Sequence, residues 1–396
     1  MKVAVLFDRF GPYHIARLEA AAKYVTVIPI EVSGETSEYQ WDKVESQVLK
    51  NRITLFAQKE STKIPAAQLM QTLAQELSKA KPDVVAVNGW YDRAALGALA
   101  WCLENKVPAV VMSESAAGDE QRIWWKEFIK HTLVGRFGAG LVGGSRHADY
   151  LHALGMPKEN IFIGYDVVDN DYFEREADKA RGQRSFWQQQ KNLPENYFLI
   201  VSRFIQKKNL PFVIKAYHDY LRNANGQAWD LYLLGDGPLK PELLQLTEEL
   251  GLRDKVHFEG FKQYDELPIY FGLARTFIHA STTEQWGLVV NEAMASGLPV
   301  VISERCNCVP ELVHTGRNGY VIDPNNQPEL TRIMTSLSNG QDNPEVMGQE
   351  SRKIVTTLHA DAFGRGLRDA AQVAHKAPRK GMGLLTRFLL KKLINR

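Results

Sequence analysis

Two glutamates eight residues apart, Glu284 and Glu292, bracket a stretch that reads as loop, helix start and helix. A strand over 276–279 precedes it. A helix is expected from about 287 to 297, where Gly297 is a natural stop. In an open α/β sheet, ligands bind outside the carboxyl ends of the strands. Glu284 therefore projects a carboxylate to a place where sugar hydroxyls can donate to it. The amides of Gly287 and Leu288 at the helix start suit an anion such as a phosphate. Glu292, a little over one turn further on, can accept two hydroxyls of a ribose. A second constellation runs Ser202-Arg203-Phe204-Ile205-Gln206-Lys207-Lys208-Asn209. It lies between a strand ending near 201 and a helix for which Asn209 reads as the N-cap. Arg203 and Lys208 on this one loop can clamp a diphosphate, the guanidinium as a fork and the ammonium as a point charge. Lys207 is adjacent, but the spacing to the helix start favours Lys208.

These side chains need a scaffold of strands and helices. At 396 residues the chain is too long for one ordinary core, so two domains are expected. Short β-branched runs at 3–7, 25–30, 84–88, 109–113, 139–143 and 161–163 alternate with helical patterns. The rhythm pauses over a polar stretch from about 171 to 194, read as a linker with a surface helix. It restarts at 197–201 and continues through 230–234, 256–258, 276–279, 300–303 and 319–322. The expected fold is α/β, with two Rossmann-like, doubly wound domains. Their expected bounds are 1–178 and 190–355, with C-terminal helices over 356–396 that pack back on the first domain. Neither half opens on a GxGxxG fingerprint, which argues against a nicotinamide dehydrogenase.

A net charge of +2 gives no global reason to expect a nucleic-acid partner. Cys306 and Cys308 are separated by one residue, a poor spacing for a mutual disulfide, and no further Cys or His stands at a zinc-ligand spacing. No metal and no cofactor are expected. The chain opens on a strand and holds no apolar run of the length that spans a bilayer, so a cytoplasmic protein is expected. From Lys376 onward there are seven basic residues and no acidic one, with Leu384, Leu385, Phe388, Leu389, Leu393 and Ile394 at helical spacing. A basic amphipathic helix suits an anionic membrane surface.

The run from Glu284 to Glu292 resembles the E-x7-E signature of retaining glycosyltransferases of the GT-B fold, specifically family 4. The resemblance covers nearly the whole chain. It implies two Rossmann-like domains facing across a cleft, with a sugar-nucleotide donor on the second and a glycan or lipid-linked acceptor on the first. Arg203, Lys208 and Glu284 would then be catalytic. The first two would stabilise the leaving nucleotide without a metal, and Glu284 would orient the sugar. Gly235 and Asp236 stand in a turn similar to the family's Gly-Asp-Gly-Pro, beside the nucleotide. Phe261 and Lys262 resemble the segment whose backbone reads the base. Trp286, Gly287, Leu288 and Glu292 complete the donor side. Gly11 lies in a loop similar to the family's glycine loop, which commonly has two adjacent glycines; here Pro12 follows the single one. His14 and Glu114 fall on the acceptor side, and the His often found near position 114 is missing. Val167 replaces the glycine of the family's Asn-Gly-Val-Asp turn.

The implied reaction moves a hexose-type sugar with retention, in cell-surface polysaccharide or glycolipid assembly. A sugar-nucleotide epimerase and a sugar-phosphate-accepting synthase share the fold and stand as alternatives.

Overall fold

A computed structural model of the chain describes residues 1–35, 46–224 and 228–396. It divides into two units, one made of Met1–Val168 with Leu358–Arg396 and the other of Asp169–Thr357.

The first unit is built on seven parallel strands: β1 (Lys2–Phe7), β2 (Thr26–Glu35), β3 (Ile53–Glu60), β4 (Val84–Asn88), β5 (Ala109–Ser113), β6 (Ala139–Val142) and β7 (Ile161–Ile163). They lie in the order β3-β2-β1-β4-β5-β6-β7. Central strands such as β5 bury every residue, because helices cover both faces of a parallel sheet. The edge strand β3 was not expected from the sequence. Its run Ile-Thr-Leu-Phe-Ala-Gln-Lys-Glu buries only Phe56 fully, so it lacks the continuous apolar signature of the inner strands.

The second unit repeats the plan with β8 (Tyr197–Val201), β9 (Asp230–Leu234), β10 (Val256–Gly260), β11 (Thr276–His279), β12 (Val300–Ser303) and β13 (Gly319–Ile322). The order is β10-β9-β8-β11-β12-β13, again parallel throughout. Each unit has its own apolar core.

The boundary expected between 178 and 190 falls earlier, after Val168. The helix Asn170–Gly182, read from its charges as part of the linker, buries Phe173 and Ala177. Phe173 meets Phe271 with ring centroids 6.0 Å apart. Gly272 lets the helices close, since a Cβ there would stand 2.6 Å from the Ala177 carbonyl oxygen. Arg352 adds two hydrogen bonds to Asp178, at 2.6 and 3.0 Å. Residues 170–182 therefore belong to the second unit.

The chain returns to the first unit at Leu358. Helix Ala360–Lys376 packs on helix Pro12–Ala22, where Gly364 faces the Ala20 carbonyl and Tyr24 donates to Asp361 at 2.8 Å. The final helix, Leu384–Ile394, buries Thr386, Leu390 and Ile394, the last two in the same core as helix Arg93–Asn105.

Candidate functional site

The strand order of the second unit reverses at β8, whose neighbours are β9 and β11. The segments after β8 and β11 thus emerge side by side at the switch point, where open sheets bind their ligands. They are residues 202–209 and 280–287, the two stretches singled out by their charges.

Glu284 is the hub, 9% exposed. Three donors converge on its Oε2: the Lys208 ammonium, His279 Nε2 at 3.0 Å and the Ser281 hydroxyl at 3.2 Å. Lys207 Nζ stands 4.0 Å from the other oxygen, Oε1. The structure thus separates the two lysines, with Lys208 on the carboxylate and Lys207 half exposed beside it. The backbone fixes the hub as well, since Asn307 N donates to the Glu284 carbonyl at 3.1 Å. Burial by itself would raise this carboxyl's pKa, but His279 and Lys208 outweigh it and hold the group well below the usual carboxylate range. His279, 2% exposed, is kept neutral by burial and by the nearby Lys208 charge, with Glu284 pulling the other way.

Gly287 opens helix Leu288–Ala295 with φ 92°, a left-handed conformation that favours glycine. The first amides of any helix lack intrahelical acceptors, so this start directs N–H groups outward. Trp286, expected at the donor, is 1% exposed, and its indole donates to Asn291 Oδ1 at 2.9 Å. Its side chain locks the helix start and presents no stacking face. Glu292 is also 1% exposed, close enough to Tyr264 for its charge to help raise the phenol's pKa, after burial. Tyr264 is stacked on Tyr172 at 5.1 Å.

On the other loop Arg203 is exposed and Gln206–Lys208 form one 3-10 turn. Asn209 does not cap in the expected way. It adopts φ 57° and its amide donates to the Pro324 carbonyl at 2.9 Å, which ties the loop to the segment after β13. Gly235 (φ 131°) lets β9's turn approach this loop, since a Cβ there would meet the Ser202 carbonyl oxygen at 1.8 Å. Asp236 shapes that turn by accepting from Gly237 N at 2.7 Å and from Lys240 at 3.0 Å. Lys262 pairs with Glu259 at 3.4 Å and lies 5.3 Å over the Tyr270 ring, and Phe261 is half-buried next to it.

In the first unit Gly11 is the N-cap of helix Pro12–Ala22, with extended φ, and its amide donates to His14 Nδ1 at 3.0 Å. His14 packs on Phe7 at 4.3 Å. Burial, helped by Arg17, lowers its pKa to about 3. His14 is therefore a capping residue that is neutral near pH 7. His147 Nδ1 likewise accepts from the Gly144 amide, at 3.1 Å. Glu114, half-buried after β5, hydrogen-bonds Asp166. Burial first and Glu114 second push Asp166 well above the usual carboxylate range, against the pull of Arg17 at 3.4 Å. Asp169 caps the next helix through Tyr172 N at 2.9 Å.

Sequence reasoning missed His279 and Ser281. The available signal was their place, polar side chains at the carboxyl end of an otherwise apolar central strand.

Residues 183–354 match a family model described as glycosyl transferases group 1. Among curated proteins, the chain is 26% identical over 205 residues to N-acetyl-alpha-D-glucosaminyl L-malate synthase of Bacillus anthracis, covering 52% of this chain and 51% of that protein. It is 27% identical over 154 residues to alpha-monoglucosyldiacylglycerol synthase of Acholeplasma laidlawii (39% and 37%). It is 28% identical over 233 residues to the putative colanic acid biosynthesis glycosyltransferase WcaL of Salmonella typhimurium (57% and 54%). The chain spans about half or less of the length of these relatives. Among solved structures it resembles the lipopolysaccharide outer core galactosyltransferase WaaB, with TM-score 0.66, 16% identity and coverage of 93% and 99%. It also resembles Anabaena Alr3699/HepE in complex with UDP, with TM-score 0.70, 18% identity and coverage of 93% and 98%. The fold is that of GT-B glycosyltransferases, with two Rossmann-like domains. The comparisons thus show the fold over the whole chain and a likeness to glycosyl transferases group 1 over residues 183–354.

Proposed function

We propose that the chain is a retaining glycosyltransferase that moves a hexose-type sugar from a nucleoside diphosphate to a glycan or lipid-linked acceptor. The observation that carries this reading is the Lys208–Glu284 ion pair, nine-tenths buried at the second sheet's switch point beside the helix start at Gly287. Arg203 and Lys208 receive the diphosphate and stabilise the charge that grows on it as the glycosidic bond breaks. Glu284, held anionic, accepts sugar hydroxyls and sets the sugar's orientation. The Gly287 and Leu288 amides add a second anion contact. Glu292 takes the ribose hydroxyls. The acceptor attacks on the face from which the phosphate departs, and the phosphate takes the acceptor's proton. Cationic side chains supply the stabilisation that a metal supplies elsewhere, so the reaction is metal-independent. Gly235, Asp236, Phe261 and Lys262 border the nucleotide, and we assign the acceptor to the first unit near Gly11 and Glu114.

We place the enzyme in the cytoplasm, at an anionic membrane face, in polysaccharide or glycolipid assembly. Relatives named for diacylglycerol and colanic acid products support this setting. Leu384, at 88% exposed, Leu385 and Phe388 face outward from the last helix among Arg387, Lys391 and Lys392. Trp124, Trp125 and Phe128 are exposed on the same unit. Among the described residues no helix is long and apolar enough to cross a membrane.

The test is to incubate the protein with UDP-, GDP- and ADP-hexoses and a panel of glycan and lipid acceptors, and to read the new anomeric centre by NMR. The donor's configuration kept in the product is the expected result. Inversion, or an epimerised sugar nucleotide formed without acceptor, contradicts the reading.

A further inference from the structure

The donors around Glu284 are unevenly arranged. Lys208, His279 and Ser281 all address Oε2, and the Ser281 hydroxyl also stands 3.1 Å from His279 Nε2. Oε1 has Lys207 at 4.0 Å. His279 is 2% exposed and Ser281 fully buried, so neither is placed to touch a substrate. A neutral imidazole facing a carboxylate oxygen must carry its proton on that nitrogen, which fixes His279 as the Nε2–H tautomer.

This bears on a conflict built into the site. If Lys208 serves a diphosphate, it must turn from Glu284 toward the phosphate. Leaving a buried carboxylate without its cation is strongly unfavourable unless other donors remain. His279 and Ser281 are those donors. Both come from β11 and the residues just after it, on the floor of the site rather than on the lysine loop.

We propose that His279 and Ser281 are positioning residues that hold Glu284 Oε2 while Lys208 transfers from Glu284 to the donor's diphosphate, leaving Oε1 aimed at the sugar. The inference rests on the glycosyltransferase reading for the identity of the diphosphate. The arrangement of donors on Oε2 stands apart from it.

Two measurements decide it. The first uses the free protein labelled with ¹⁵N-histidine, with the His279 signal assigned by its loss in His279→Gln. A neutral Nε2–H tautomer at pH 8 is expected, with a signal that shifts in Glu284→Gln. A Nδ1–H tautomer, or a signal indifferent to Glu284→Gln, overturns the proposal. The second measures the affinity of UDP, GDP and ADP, and kcat with the matching sugar nucleotide. His279→Leu removes a charge-assisted hydrogen bond and should weaken the diphosphate that binds and lower kcat, by about 10- to 100-fold in the product of the two effects. His279→Gln, which keeps an N–H, should recover most of the loss, and Ser281→Ala should show a smaller loss of the same kind. A side chain that merely fills space would lower Tm in His279→Leu and leave diphosphate affinity and kcat unchanged, and that result also overturns the proposal. Should His279→Leu not fold, Ser281→Ala with wild-type affinity and kcat has the same force. If the wild type binds none of the three diphosphates, the glycosyltransferase reading falls, and the tautomer result alone decides the positioning role.

Discussion

The two sheets share one order over six strands, with β7 added to the first, and treat their switch points differently. In the second unit the segments after β8 and β11 bring a lysine, a histidine and a serine onto one glutamate. In the first unit the segment after β1 leads into a neutral cap, where the Gly11 amide is taken up by His14. Its charged pair lies deeper, with Arg17 against Asp166 at 3.4 Å, the two being 2% and 0% exposed. Arg17 also donates to the Val167 carbonyl at 3.4 Å and lies 4.7 Å over the Tyr165 ring. That pair ties the first helix to the segment after β7. One topology therefore serves two purposes. On the proposed reading, charge at the mouth of the second sheet serves a ligand, whereas the buried Arg17–Asp166 pair of the first serves the fold.

The contrast is open to attack by mutation. The largest effect is expected from Lys208→Ala. Removing one preorganised donor to a developing charge costs about 10²–10³ in kcat. The fold should persist, since His279 and Ser281 still address Glu284, and a Tm close to wild type would show it. Arg17→Met should do the reverse. Breaking one partner of a buried pair typically costs about 3–5 kcal/mol. Urea unfolding at pH 7 should show a loss of that order. Diphosphate affinity should stay unchanged, and a large loss there would erase the distinction between the units.

The third effect is smaller and depends on pH. His14 titrates near 3 in the native state, against about 6.5 in an unfolded chain. Below pH 6.5 the unfolded state therefore binds a proton that the native state refuses, and stability falls as pH drops toward 3. His14→Gln should flatten this part of the decline between pH 6.5 and 4.5 in denaturant titrations. Glu284 shifts stability in the same direction, but over a lower pH window. Its depressed pKa contributes stability above the ordinary carboxylate range, which is lost only as pH falls below it, so the two groups can be told apart by window. The smallest effect on the soluble reaction is expected from Phe388→Glu. It should lower co-sedimentation with anionic vesicles severalfold and leave turnover of a soluble acceptor unchanged. This surface change is a cleaner probe than truncation, because Leu390 and Ile394 of the same helix are part of the core.

The sequence carried the inner strands well, because strands buried on both faces need unbroken apolar runs such as Ala109–Ser113. It did not carry β3, whose outward residues are polar, or the place of helix Asn170–Gly182, where Phe173 and Ala177 are hidden among charges. The charged groups of the site were legible by type and spacing, and the glycine at 287 by the helix it opens. Their mutual geometry was not. Nothing local in the run from Thr276 to Ser281 reveals that His279 and Ser281 turn back onto Glu284, since that depends on how 280–287 folds over the strand end. Trp286 shows the same limit from the other side: an aromatic residue beside a binding loop serves stacking or core equally well until its burial is known. Asn209 was misjudged because its amide answers to Pro324, more than a hundred residues away in sequence.

The central claim is that Lys208 and Glu284 form the diphosphate end of a sugar-nucleotide site. A bound ligand stabilises the native state by mass action. The most direct measurement is therefore thermal unfolding of wild type and Lys208→Ala with UDP-, GDP- and ADP-hexoses at millimolar concentration. The account predicts that at least one of them raises the Tm of the wild type by several degrees and that the rise is lost in Lys208→Ala. A wild type unmoved by all three, or a shift of equal size in the variant, would contradict it.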